Sequence, residues 1–261
     1  MPRFAANLSF MFTEVPFLDR FALAAQCGFS AVEYTSPYEH SPDLIASLLA
    51  KHGLQQILFN LPLGNFDVGD RGLTAIPGRE AEFREGVTQA LSYARILKCS
   101  QLHAMAGALP NESHDAARAR CRETYVENLR YAAAAMAAEG VTLLIEPIST
   151  RVVPGYILER QDDAHALRAE VGHPALAVQM DIFHAQLVHG DLTASLERWL
   201  PHIRHIQIAG VPDRHEPDSG EVNYAYLLER IDELGYTGWI GCEYKPRGRT
   251  VDGLGWMRRF S

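Results

Sequence analysis

Four polar residues each stand near the C-terminal end of an apolar run: Glu146 in TLLIEPI, Asp181 in ALAVQMD, Gln207 in HIRHIQIA and Glu243 in GWIGCEY. A carboxylate in apolar surroundings is costly unless a cation, a proton or a strong donor meets it. Three carboxylates brought to one point repel, and one of them keeps its proton unless a counter-charge arrives. A divalent cation removes the conflict, with Gln207 adding a neutral oxygen. All four donors are oxygens, with no thiolate or imidazole among them, a set that suits Mg2+ or Mn2+ better than Zn2+. The bland alternative is that each acid pairs with a nearby base, for which Lys245 and Arg214 are available.

Around these four lie residues suited to hold a small polar substrate. His184, three residues past Asp181 in DIFH, could donate to a substrate oxygen, and His103 in QLHAMAG is placed similarly. Arg214 and His215, in the DRHEP segment, could clamp a carboxylate, since a guanidinium forms two parallel bonds to one. Lys245 follows Glu243 by two residues, which in an extended chain puts both on one face. Arg71 and Arg79 lie in or beside a glycine-rich stretch and are further cationic candidates. A solvated charge or a satisfied histidine is the plain alternative for each.

To converge, these residues need elements that end at a common place. Short β-rich runs occur at residues 4–10, 31–34, 55–60, 101–105, 142–148, 175–180, 203–209 and 239–244. Helical periodicity fills the intervals at 17–27, 41–49, 79–97, 115–139, 161–171, 192–200 and 224–234, with a short helix at 254–259. Loop is expected at 106–111. Strands without polar alternation, separated by helices, describe a parallel sheet buried on both faces. Eight such units in 261 residues predict one domain with the closed (β/α)8 (TIM) barrel fold, whose strand C-termini share one mouth. An open doubly wound sheet is disfavoured, since no strand leads into a G-x-G-x-x-G turn. Residues 61–78, LPLGNFDVGDRGLTAIPG, show neither period. Their length and their Phe66, Leu73 and Ile76 predict an ordered lid rather than a disordered segment.

Composition narrows the partners. With 32 acidic against 24 basic side chains and a net charge of −8, a nucleic-acid surface is not expected, and a small metabolite is. Four cysteines without close spacing predict free thiols in a reducing cytoplasm. No apolar window approaches a membrane span and no convincing signal peptide opens the chain, so a cytoplasmic protein without membrane contact is expected. A homo-oligomer is compatible with the sequence without being required by it.

The motifs LLIEPI, DIFHAQ, HIQIAG, DRHEPDSGEVNY and GWIGCEYKP, with MPRFAANLSFMFTEVPF and the NLPLGN and GDRG portions of the lid, resemble the hydroxypyruvate isomerase family of the xylose-isomerase-like barrels. The form AGVPDRHEP and the histidine of QLHAMAG are similar to its 2-oxo-tetronate isomerase branch, while NLPLGN and GDRG resemble hydroxypyruvate isomerase proper. The resemblance spans essentially the whole chain. It implies one Mg2+ or Mn2+ on Glu146, Asp181, Gln207 and Glu243, with Glu146 and Glu243 as the acid/base pair. The implied reaction moves a carbonyl to the neighbouring carbon of a short oxo-hydroxy acid by proton transfer through a cis-enediolate. 2-Oxo-tetronate is the first expectation and hydroxypyruvate the second. A metal-dependent sugar epimerase or a lyase acting on an inosose is further off, as is a non-catalytic sugar-acid binder. A metal phosphodiesterase like the apurinic endonucleases would need a histidine-rich cluster and a basic surface, neither of which the sequence offers.

Overall fold

The computed structural model describes residues 1–109 and 115–260. Eight parallel strands, β1 (Arg3–Asn7), β2 (Ala31–Glu33), β3 (Gln55–Asn60), β4 (Gln101–His103), β5 (Thr142–Ile145), β6 (Leu176–Asp181), β7 (Ile203–Ile208) and β8 (Trp239–Cys242), pair in chain order and close on themselves as a barrel. The helices α1 (Phe17–Gln26), α2 (Pro42–His52), α3 (Glu80–Leu97), α4 (Asp115–Ala138), α5 (Gln161–Val171), α6 (Ile182–Val188), α7 (Leu192–Trp199) and α8 (Tyr224–Glu233) surround it. No described helix is long and apolar enough to cross a membrane. Cys27, Cys99, Cys121 and Cys242 are all free thiols.

The main core lies between strands and helices, where Phe21, Phe59, Leu102, Leu129 and Val178 are buried. The period of two along a strand gives the barrel interior a different character. Ala5, Ala31, Leu144 and Ala177 belong to a separate apolar cluster at its floor. Two residues further on the same strands come Asn7, Glu33, Glu146 and Gln179. Apolar side chains thus plug the lower barrel, and polar ones crown it.

Several strands stop earlier than their apolar content suggests. β1 ends at Asn7 rather than residue 10, β5 at Ile145 rather than 148, and β8 at Cys242 rather than 244. The residues beyond them, such as Met11, Ile148 and Tyr244, are buried in the loops at the mouth, so hydrophobicity continues where the ladder does not. β6 continues one residue past expectation, to Asp181. The short helix α6 follows directly and was absent from the periodicity reading, being too brief to show a period. The C-terminal helix is a longer 3-10 stretch, Thr250–Phe260. Of the loop expected at 106–111, the last two positions lie outside the described residues.

The expected lid at 61–78 is a loop with one 3-10 turn, Phe66–Val68. Its latter half is anchored: Ala75 N–H donates to Ala106 O at 2.8 Å, and Leu73 and Ala75 are buried. Its tip is held internally. Asp70 accepts from Asn65 N–H at 2.7 Å and pairs with Arg79 at 3.2 Å. Phe66 and Val68 remain exposed.

Candidate active site at the barrel mouth

At the C-terminal ends of the strands lies a cavity of about 200 Å³, lined by Glu146, Glu243, Gln207, His103, His184 and Arg214 among others. The lid contributes Leu63, Phe66 and Arg71 to its wall. A larger cleft of about 350 Å³ opens at the opposite ends of β7 and β8, lined by Leu200, Arg204 and Tyr236, and gathers no such set of acids.

Local structure explains how each side chain arrives. Asp181 ends β6 and also caps α6, its Oδ1 accepting from Phe183 N–H at 2.9 Å. Its Oδ2 therefore stays turned to the cavity side, 3.6 Å from His184 Nε2 and 3.2 Å from Arg214 Nη2. Gln207 stands in register with Asp181 on the neighbouring strand. Glu146 and Glu243 follow directly on β5 and β8, and Glu243 N–H still donates to Ile208 O at 3.2 Å, prolonging the ladder by one step.

Arg214 sits in the loop after β7 with a left-handed backbone, φ 59°. That conformation is unfavourable for a residue with a Cβ, and the loop holds it by several bonds. Arg214 N–H donates to Gly210 O at 2.8 Å, Lys245 N–H donates to Arg214 O at 2.7 Å, and Glu216, buried below, pairs with Arg247 at 2.8 Å. The guanidinium lies between the rings of Phe10 and Phe183, at 4.8 and 4.9 Å. From there it reaches Glu243 Oε1 at 2.5 Å.

One guanidinium thus faces three carboxylates. Burial, then the charges of Glu243 and Asp181, holds the Glu146 carboxyl well above its ordinary range. Burial raises Asp181 as well, against the opposing pull of Arg214. Glu243 is pushed up to about 8 by burial, with Arg214 countering and the charges of Asp181 and Glu33 adding to the rise. Such a set fits a divalent cation: the acids are close, desolvated and only partly compensated. Glu146, Asp181 and His184 each place a donor atom within 4.8 Å of the others. His184, however, accepts from Ser149 N–H through Nδ1 at 3.4 Å, so the neutral ring carries its proton on Nε2. Burial keeps that ring neutral, far below the usual histidine range. A protonated Nε2 donates and does not coordinate, so Glu146 and Asp181 are the oxygen donors this cluster could offer a cation, with Gln207 and Glu243 on the wall of the same cavity.

The other sequence candidates divide. His103 is buried with Nδ1 3.7 Å from Glu146 Oε2, its Nε2 has no partner, and burial lowers it to about 3, so it faces the cavity as a neutral ring. Arg71 lines the cavity, and among the described residues its guanidinium bonds only to the carbonyls of Asp70 and Phe66 while lying 4.3 Å over the Phe66 ring. His215 and Lys245 stand outside the cavity. The strand ends at Cys242, so the alternation that would have aligned Lys245 with Glu243 no longer holds, and Lys245 is exposed. His215 turns its Nδ1 to Lys245 O at 2.7 Å, bracing the loop that presents Arg214. Arg79 is spent on Asp70 and Glu82.

Sequence reasoning missed Asn7, Glu33 and Gln179, buried residues that line the cavity beside the expected ligands, and His205, buried against Glu33. Gln179 and His205 precede Asp181 and Gln207 by two residues, so strand alternation alone was enough to place them on the same inner face. Glu33 is an acid at a strand end, the same signal that singled out Glu146 and Glu243.

The model of the xylose isomerase-like TIM barrel family matches residues 21–260. A 2-oxo-tetronate isomerase of Cupriavidus necator is 56% identical over 260 residues, covering 100% of this chain and 99% of its own. A hydroxypyruvate isomerase of Escherichia coli is 44% identical over 257 residues, covering 98% of each. Among solved structures, one from Brucella melitensis described as an AP endonuclease, family 2, is 52% identical, covers 100% of this chain and 99% of its own, and superposes with a TM-score of 0.96.

Proposed function

The chain belongs to the xylose isomerase-like TIM barrel family, and from that premise we propose that it is an isomerase interconverting 2-oxo-tetronate and 3-oxo-tetronate. The observation that carries the reading is the placement of Glu146 and Glu243, directly after β5 and β8, on the wall of one small cavity with Gln207, while Asp181 is buried against Arg214 of the same wall. Moving a carbonyl to the next carbon requires removing a proton from the carbon that bears the hydroxyl and returning one to the former carbonyl carbon. Two carboxylates flanking the substrate can act as base and acid. No oxidant or reductant is consumed. A divalent cation, Mg2+ or Mn2+, held by Glu146, Asp181, Gln207 and Glu243, would supply charge stabilisation for the two oxygens as the enediolate forms.

The remaining residues bind and orient. Neutral His184 and His103 offer N–H donors to substrate oxygens without adding charge. Arg214 steadies Glu243, and Arg71, whose hydrogen bonds among the described residues go to main-chain carbonyls, can turn to the substrate carboxylate. Phe66 and Leu63 of the lid screen the cavity from water. The free thiols fit a reducing cytoplasm.

The identity to the Escherichia coli hydroxypyruvate isomerase favours hydroxypyruvate as the second reading, with one carbon fewer and the same proton chemistry. DNA processing is disfavoured by the net charge of −8 and by the size of the cavity. Assaying both acids side by side, after chelation and with Mg2+ or Mn2+ restored, tests the proposal. Turnover of 2-oxo-tetronate well above hydroxypyruvate supports it, and turnover of neither rejects it.

A further inference from the structure

Beside the four oxygen donors, and through Gln207 itself, runs a chain of buried polar side chains. Gln179 Nε2 donates to Gln207 Oε1 at 2.6 Å, and Gln207 Nε2 donates to Glu33 Oε1 at 2.6 Å. Asn7 Nδ2 donates to the same Glu33 oxygen at 2.9 Å and to Glu243 Oε2 at 3.0 Å. His205 Nε2 lies 2.6 Å from Glu33 Oε2. Glu33 is 1% exposed and His205 fully buried, so the arrangement is screened from bulk solvent.

An amide side chain can face either way, because its oxygen and nitrogen have nearly the same shape. A carboxylate decides the matter, since it only accepts hydrogen bonds. Beside Glu33, Gln207 must present its NH2, and its carbonyl oxygen is thereby turned toward β6, the strand that carries Asp181. That oxygen accepts once from Gln179 and keeps a second lone pair. Asn7 is fixed by the same logic: its NH2 serves two carboxylates while its Oδ1 accepts from Ser9 N–H at 3.0 Å.

A second observation shows that the fold makes room for this. Gln207 is in register with Gly241 on β8, which has no side chain to project inward. A Cβ at position 241 would fall 2.3 Å from Glu33 Oε1 and 2.6 Å from its carboxyl carbon. The empty space at Gly241 is where the Glu33 carboxylate, coming from β2, passes to reach β7 on the other side of β1 and β8.

We propose that Glu33, seated in the space left by Gly241, is a positioning residue that fixes the orientation of the Gln207 amide so that its oxygen serves the divalent-cation site. The inference rests on the metal-site reading given above. Asn7 extends the same control to Glu243. Groups that orient metal ligands in this way typically contribute 10- to 100-fold to metal affinity.

The test is a titration of chelator-treated protein with Mn2+, following free Mn2+ by its electron paramagnetic resonance signal, in four forms. The wild type is expected to bind. Glu33→Gln frees the amide to turn and is expected to bind ~10- to 100-fold more weakly. In a Gln207→Glu background both ends of residue 207 are oxygens and one of them repels Glu33, so adding Glu33→Gln is expected to leave affinity unchanged or higher. Gly241→Ala keeps every polar group but displaces Glu33, and is expected to weaken binding as Glu33→Gln does. It also carries the test if Glu33→Gln does not fold. Equal Mn2+ affinity in wild type and Glu33→Gln overturns the proposal, as does the same loss in both backgrounds, which would mark general damage. A wild type that takes up no Mn2+ overturns the metal-site reading itself and the inference with it.

Discussion

Arg214 and Glu243 meet at 2.5 Å, and the same guanidinium nitrogen lies 3.2 Å from Asp181, so a single cation bridges two of the acids that the proposed metal site would use. Arg214 opposes the burial that raises Glu243. Replacing it with Met should move the Glu243 carboxyl of the metal-free protein above its value of about 8. Nuclear magnetic resonance of labelled glutamate side chains across a pH titration reads this directly. An unchanged titration would mean that the ion pair has no influence on Glu243.

Glu243→Gln removes one member of the proposed acid/base pair while keeping its shape. Turnover should fall ~100- to 10,000-fold, the usual contribution of a positioned general acid or base. The assay is the steady-state kcat with metal present. Turnover within a few-fold of wild type would show that Glu243 transfers no proton.

Stability of the metal-free protein should depend on pH in a defined sense. A carboxyl raised in the folded state holds a proton that the unfolded chain has already released. Glu243, at about 8 against an ordinary 4.5, therefore stabilises the fold at low pH and loses that contribution as pH rises toward 8. Histidines of the unfolded chain are half protonated at about 6.5 and mostly neutral by about 7.2, so the range from about 7.2 to 8 is governed by the acids. Thermal midpoints of chelated protein should fall across this range, and added Mn2+ should raise the midpoint more at its upper end than at its lower. Midpoints that rise with pH would show that the acids are already ionised.

At the other end of the scale, His165 is buried, stacks on Trp199 with ring centroids 4.1 Å apart, and has no partner among the described residues for either ring nitrogen. Burial, aided by Arg168, lowers it to about 3. Its folded-state value is depressed, so the unfolded chain takes a proton first and stability is lost as pH falls from about 6.5 toward 3. His165→Phe keeps the stacking and should flatten that decline by about one proton. Denaturant unfolding at pH 7, 6 and 5 measures the slope. The same slope in both proteins would place the acid sensitivity elsewhere.

Arg71 is the cation of the cavity wall whose hydrogen bonds among the described residues go only to carbonyls. Arg71→Met should raise KM for the acid substrate ~10- to 100-fold, the cost of one charge-assisted bond, with kcat little changed. The amide of the substrate, which carries no charge, should be affected far less. An equal loss for both would mean that Arg71 shapes the lid instead of binding the carboxylate.

The barrel and its mouth were legible because two strong regularities coincide: eight β-rich runs alternate with helical ones, and lone acids mark the ends of buried strands. Glu146, Asp181, Gln207 and Glu243 stood out for that reason. Glu33 carried the same mark on the three-residue β2 but was lost among short elements. His205 and Gln179 were hidden by attention to one polar residue per strand, although the period of two places them on the inner face. Lys245 was misplaced because the strand stops at Cys242 while the apolar pattern runs on to Tyr244. The reach of Arg214 into the site depends on a left-handed backbone and on loop hydrogen bonds, for which local sequence offers no period.

The most direct test of proton transfer between two flanking carboxylates is to run the isomerisation of 2-oxo-tetronate in deuterated water with Mn2+, correcting for exchange without enzyme. With one group removing the proton and another supplying its replacement, the product should carry a full deuterium at the carbon that receives it. A product that retains the original hydrogen at that carbon would contradict the account and require a hydride shift.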